Sequence, residues 1–191
     1  LKLFHQIMAI TQKFARNRDP LVEESNWVAL MIGTHLPLWP VYIWWAAGRQ
    51  AWPTSLWTIS MTPVFLVIPI LSRRNGQFGR VAMVIAGICN TLLTRWVLGP
   101  DCGTELFYIP CAVISAMFFR RSERWLMLGL SSLPLLVWYG SRKLGGAGLH
   151  HYDPASAHSI VILNVISVSV LVSALGWFQG RVYQRMERSP D

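Results

Sequence analysis

The residues best able to do chemistry lie in two short polar stretches. In GAGLHHYDPASAH, His150, His151, Asp153 and His158 bring imidazoles and a carboxylate together, a donor set suited to copper, zinc or nickel. In RWVLGPDCGTE, Arg95, Asp101, Cys102 and Glu105 fall between two apolar runs, and Cys102 or Asp101 could complete such a metal site. The spacing matches no established metal motif, so a hydrated loop with incidental histidines is the plain alternative. Charges at the edge of an apolar segment are costly unless paired or hydrated. Arg95 is therefore expected either to clasp Asp101 or Glu105 across the turn or to face a polar ligand pocket. Gly99, Pro100 and Gly103 are hairpin chemistry for that turn.

Inside the apolar runs three polar residues stand out, His35, Asn90 and Asn164, and buried groups of this kind hydrogen-bond neighbouring helices. A haem held by two histidines at this depth lacks its second ligand. A His/Met pair using Met31, Met61 or Met83 is the remaining haem arrangement, and an intramembrane electron carrier the corresponding function. No interior lysine is available for a retinal Schiff base. Walker loops, GxSxG, HExxH and closely paired acids are absent, so the sequence offers no reaction of its own. Ser169, Ser173, Gly176 and Gly180 recur at intervals of four, three and four, lining small residues along one helical face. Backbones can approach closely there, the partner being the same helix of a second subunit or another helix of the same bundle.

These residues must be positioned by apolar elements. The chain of 191 residues is 53% hydrophobic and only 14% charged, with ten tryptophans, too little polar surface for a soluble globule. Six apolar segments, roughly 27–47, 53–71, 81–98, 105–119, 125–140 and 159–179, approach the length needed to cross about 30 Å of hydrocarbon. The fold expected is all-α, a six-transmembrane-helix bundle. The net charge of +8 does not point to nucleic acid, because the basic residues are scattered in small groups rather than gathered in a stripe. With a cytoplasmic N-terminus, the inner side receives Arg73, Arg74, Arg80, Arg120, Arg121, Arg124, Arg181, Arg185 and Arg188 together with Lys2, Lys13, Arg16 and Arg18. The outer side receives only Arg49, Arg95, Arg142 and Lys143, an asymmetry that predicts both termini in the cytoplasm. Prolines 37, 40, 63, 69, 110 and 134 fall within the segments and predict kinks. Residues 1–20 place Leu3, Phe4, Ile7, Met8, Ile10 and Phe14 on one face and read as an amphipathic helix on the inner membrane surface, or as the end of a helix begun upstream. Residues 27–180 form the bundle, and 181–191 start a polar helical exit into a cytoplasmic linker. The chain reads as an excerpt of something longer.

The run LGPDCGTELFYIPCAVISAMFFRRSERWLMLGL resembles the middle of the six-helix membrane anchors found ahead of bacterial class III adenylate cyclases, some diguanylate cyclases and quorum-sensing receptor histidine kinases. Gly99, Asp101 and Gly103 match the outer turn of that group, Phe107 and Tyr108 its aromatic fourth helix, and Arg120, Arg121 and Arg124 its basic inner link. Cys102 stands where a small hydroxyl residue is expected. The resemblance implies a sensory input module in the bacterial inner membrane, a parallel homodimer whose sixth helix continues into an effector. Its ligand would be a small lipophilic molecule or a metal ion. The competing class is a small transporter or channel subunit, against which stand the scarcity of intramembrane charge and the lack of an inverted repeat.

Overall fold

In a computed structural model, residues 11–144, 146 and 148–187 are described, and among them every regular element is a helix. Residues 11–15 are helical; the rest of the surface helix expected over 1–20 lies outside the described residues or, from 16 to 19, is a link. Asp19 starts α1 (Pro20–His35): its Oδ1 accepts from the Leu21 N–H at 3.0 Å, and Pro20 occupies a first-turn position where a missing N–H costs nothing. The helix thus begins well before the apolar segment does. A 3₁₀ turn at Leu36–Leu38 separates α1 from α2 (Trp39–Ala47), so Pro37 and Pro40 interrupt one long rod at its middle.

A short helix, Trp52–Ser55, and a 3₁₀ stretch, Leu56–Met61, feed α3 (Thr62–Arg74). Asn75 alone joins α3 to α4 (Gly76–Leu98), its Oδ1 accepting from the Phe78 N–H at 3.0 Å as the cap of the new helix. The two helices meet closely: a Cβ on Gly79 would lie 2.9 Å from the Ser72 Cα. Gly99, at φ 91°, ends α4 and donates to the Arg95 carbonyl at 2.8 Å, and Gly103, at φ 67°, makes the second bend of the turn expected on the outer side, whose end of the bundle takes the name outer and the opposite end inner. Two 3₁₀ turns, Pro100–Cys102 and Thr104–Phe107, lead into α5 (Tyr108–Met117), then an inner turn into α6 (Arg124–Leu144), and finally α7 (Pro154–Glu187), 34 residues without a break. Among the described residues only Pro69 and Pro134 lie in helix interiors; Pro63 and Pro110 occupy first turns, where proline is tolerated.

By length and composition, three helical stretches among the described residues can cross a membrane: Trp52–Arg74, Gly76–Leu98 and Pro154–Arg181. Large apolar side chains such as Val67, Leu135, Leu136, Val165 and Val170 face outward on α3, α6 and α7. In water that surface would aggregate; lipid is its natural solvent. Inside, one apolar cluster gathers Val28, Phe65, Met83, Ile114, Phe118 and Leu175, and a second gathers Trp39, Ile43, Val97, Leu98 and Ile160.

The α3/α4 contact sets a prediction. Gly79→Leu should force the helices apart and lower stability by about 1–3 kcal/mol, whereas Gly129→Ala, with nothing within 4 Å of the added methyl, should be neutral or gain up to about 1 kcal/mol. Thermal unfolding in one detergent compares the two.

Candidate functional site

Two ion pairs and a cavity between them make up the site. On the outer side, Arg95 near the end of α4 is 8% exposed and donates through Nε to Glu105 Oε1 at 2.8 Å. Glu105 Oε2 accepts from the Trp138 indole N–H at 2.6 Å and has Arg142 Nε 3.9 Å away. Arg142 also lies over the Trp138 ring, 5.5 Å from its centroid. One carboxylate therefore ties α4, the outer turn and α6 together. Of the two partners expected for Arg95, the bond goes to Glu105; Asp101 is exposed. Trp138 had no signal in the sequence beyond its place near a segment end.

On the inner side Arg80, 4% exposed, forms a two-pronged pair with Glu123, Nη1 to Oε2 at 2.8 Å and Nη2 to Oε1 at 2.9 Å. The same guanidinium donates to the Phe118 carbonyl at 2.5 Å and stands 5.1 Å from the centroid of the Phe119 ring. Burial of Glu123 would raise its pKa, but the Arg80 hydrogen bonds, the Arg120 N–H at 2.8 Å and both positive charges outweigh it, leaving the carboxyl below its ordinary value. Arg120 continues the network to Asp19 at 2.8 Å, so the inner turn is fastened to the start of α1 as well. In the sequence these arginines carry only an orientation signal. The available clue was Glu123 itself, a lone acid inside the basic run RRSER. A third pair, Arg181 Nε to Glu24 Oε1 at 3.6 Å, joins α7 to α1 where α7 passes the inner end of the bundle.

Between the clasps lies a cavity of about 390 Å³. Its wall includes Phe65, Met83, Pro110, Cys111 and Ile114, and along α7 Leu163 to Ala174. His35 and Asn90, two of the three buried polar residues expected from sequence, line it, with Trp39, Thr91 and Thr94. His35 itself is on the exposed side of the wall, its ring 5.4 Å from that of Tyr42. Thr91 and Thr94 donate to carbonyls of their own helix, at 2.9 and 2.8 Å. Asn164 lies elsewhere: it is fully buried and donates to the Cys102 carbonyl at 2.6 Å, fixing α7 to the outer turn.

A second, outer hollow of about 300 Å³ has Asp101, Cys102, His150 and His151 in its wall. Among the described residues no three His, Cys, Asp or Glu side chains converge closely enough to hold a metal ion. Cys102 is buried and donates to the Leu98 carbonyl at 3.2 Å; burial, with Asp101 adding, pushes its thiol up to about 12. Asp153 instead caps α7, accepting from the Ala155 and Ser156 N–H groups at 3.0 and 3.1 Å and from the Ser156 hydroxyl at 2.6 Å, contacts that lower its pKa. His158 is exposed on the first turns of that helix. Ser169, Ser173, Gly176 and Gly180 all face out of the bundle, and a Cβ on either glycine would meet nothing within 4 Å.

Residues 26–189 match the MASE7 family along nearly the whole helical array. The chain belongs to the MASE7 family. It is also 20% identical over 185 residues to adenylate cyclases of Mycobacterium bovis and Mycobacterium tuberculosis, covering 95% of this chain and 41% of each relative. The chain thus spans about two fifths of the length of the curated relatives it matches. The family and these relatives bear out the resemblance found in the sequence to the membrane input domains of adenylate cyclases, and the apolar helices fit a bacterial inner membrane.

Three predictions come from the clasps. In a double-mutant cycle on Arg80→Ala and Glu123→Ala, thermal unfolding should show a coupling of about 1–3 kcal/mol. Because the Glu123 pKa is lowered in the folded protein, its contribution is present above the usual glutamate value and is lost as pH falls through the folded one, so Glu123→Gln should flatten the acid limb of the stability profile. On the outer side Trp138→Phe, which removes only the N–H to Glu105, should cost about 1.5–3 kcal/mol by the same measurement.

Proposed function

We propose that the helices form six membrane spans with both termini in the cytoplasm, and that this bundle regulates a C-terminal cyclase effector by repacking when a ligand binds. The observation that carries the reading is α7. One unbroken helix begins at the outer loop, supplies one wall of the cavity from Leu163 to Ala174, and continues past Gly180 to Glu187. Occupancy of the cavity would thereby bear directly on the rod that leaves the bundle. A ligand signals only by binding two packings unequally. We assign the second packing to a shift of α7, whose Arg181 to Glu24 contact at 3.6 Å is longer than the pairs on α4 at 2.8 Å.

The remaining rods support the count of six. α1 with α2, α5 with its preceding turn, and α6 lie beside the three that meet the length requirement, and flanking arginines can snorkel where a helix is short. The outward small-residue face of α7 is the surface we assign to a parallel homodimer, in which two exit helices would meet. Effector control by the change of their relative rotation is then a matter of geometry alone. The mycobacterial relatives, named as adenylate cyclases, favour cyclic AMP synthesis as the controlled reaction.

With an adenylate cyclase catalytic domain joined after Asp191, inserting one alanine beyond Gly180 rotates the downstream helix by about 100°. Output of cyclic AMP should change about fivefold or more, and an insertion of seven, close to two full turns, should restore it. Unchanged output after the single insertion, or an alkaline phosphatase fusion at Asp191 that proves active outside the cytoplasm, would overturn the proposal.

A further inference from the structure

At the inner end of the bundle, positive charge outruns the carboxylates that face it. Arg73 and Arg74 close α3, Arg121 belongs to the inner turn and Arg124 opens α6; all four are exposed, and among the described residues none has a carboxylate at ion-pair distance. The acids nearby are already engaged, Asp19 by Arg120, Glu123 by Arg80 and Glu24 by Arg181, while Glu23 Oε2 lies 3.4 Å from the Asn17 N–H. The two arginine pairs belong to one arc. Residues 14–19 run between them, held on one side by Arg73, whose Nη2 reaches the Phe14 carbonyl at 3.5 Å, and on the other by the Arg120 to Asp19 pair at 2.8 Å. Arg16 and Arg18, exposed on that link, add to the same charge. Two of the guanidiniums also rest on aromatic rings, Arg73 at 5.2 Å from the Phe14 centroid and Arg124 at 5.4 Å from that of Trp125. Each pair sits where an apolar outward surface begins. Ile70 is exposed one turn before Arg73 and Arg74, and Trp125, 75% exposed, and Leu128 follow Arg124. A soluble anion would use the charges and leave those apolar side chains idle; a molecule with an anionic head and acyl chains uses both.

We infer that this arc is a binding site for an anionic phospholipid, whose phosphate lies among the Arg73–Arg74 and Arg121–Arg124 guanidiniums and whose acyl chains follow Ile70 and Leu128. Guanidinium groups suit the task, because their planar donors match phosphate oxygens and stay charged beside hydrocarbon. The outer end is different: Arg95 and Arg142 turn toward Glu105 there, which leaves Arg49 and Lys143 apart from any carboxylate among the described residues. The inference rests on the chain's seat in lipid, and not on the number of spans, on a ligand in the cavity or on an effector. A headgroup on the arc adds a tie between the end of α3 and the turn that already holds α1 and α4 through Arg120 and Glu123.

The test uses the whole chain in nanodiscs of equal parts phosphatidylglycerol and phosphatidylcholine, with the lipid retained after transfer to mild detergent read by mass spectrometry. A diazirine-tagged phosphatidylglycerol maps the contacts. Phosphatidylglycerol should be retained about tenfold over phosphatidylcholine, and its adducts should fall on residues 70–78 and 120–128. Arg73→Gln with Arg74→Gln, and separately Arg121→Gln with Arg124→Gln, should each cut that preference by about fivefold or more, at least the worth of one surface cation. The corresponding lysine pairs and Arg49→Gln at the outer end should keep it, and unchanged thermal unfolding in phosphatidylcholine alone verifies that every variant is folded. Equal retention of the two lipids by the unmodified chain, or a loss on Arg49→Gln as large as on the inner pairs, would sink the inference. Displacement of the bound lipid by an equal concentration of glycerol 3-phosphate would reassign the arc to a soluble anion and so defeat it as well. Nanodiscs expose both faces alike and carry no effector, so failure here and failure of the cyclase measurement are separate results.

Discussion

A charged group buried at each end of one helix is the constraint around which the bundle is organised. α4 carries Arg80 near its start and Arg95 near its end, both almost fully enclosed, and neither could stay charged there without a carboxylate at contact distance. Glu123 and Glu105 supply those carboxylates from the two ends of the segment that holds α5. The consequence is a pair of helices fastened at both ends, with about 22 Å of α4 between the fastenings at 1.5 Å per residue. Each pair also recruits a third element, α1 through Arg120 and Asp19 on the inner side and α6 through Trp138 on the outer. The charges are few, but each carries several helices.

Between those fastenings the chain relaxes the usual demand for close packing. An empty cavity of this size in a core would be costly, because its wall loses dispersion contacts on one side. Here the wall is drawn partly from residues of the two apolar clusters, Met83 and Ile114 from one and Trp39 from the other, so the opening lies where the clusters meet. The end pairs keep α4 and α5 in register whether or not the hollow is filled, which makes a variable interior compatible with a stable frame. α7 is held differently, by the Asn164 bond to the outer turn and by the longer Arg181 to Glu24 contact. It is also the element that continues beyond the bundle, 34 residues long.

Much of the helical framework was legible because hydropathy is a local signal. All six apolar segments coincide with helical rods, and the fourth, expected over 105–119, is helical over 104–117. The first rod starts at Pro20 rather than near Trp27, since VEESN is polar in sequence and yet Glu24, Ser25 and Asn26 are buried against the inner end of the bundle. Capping chemistry at Asp19-Pro20 held that information; apolar content did not. The Arg95 to Glu105 bond was legible because the two residues lie ten apart across one turn. Arg80 and Glu123 are 43 apart, and only the three-dimensional arrangement of α4 and the inner turn brings them together. The cavity was beyond reach for the same reason: His35 and Asn90 could be marked as polar residues in greasy surroundings, but whether they bond one another, bond the backbone or border a space depends on how the rods cross.

The single residue Asn75 between α3 and α4 leaves that hairpin no slack, and the close approach of Gly79 to Ser72 locks it further. Two helices joined so tightly travel as one body. Any rearrangement of the bundle must therefore treat this hairpin as the fixed post and spend its movement on the helices hung from longer connections, α7 foremost. The shortest link in the chain thus decides which part is anchor and which is lever.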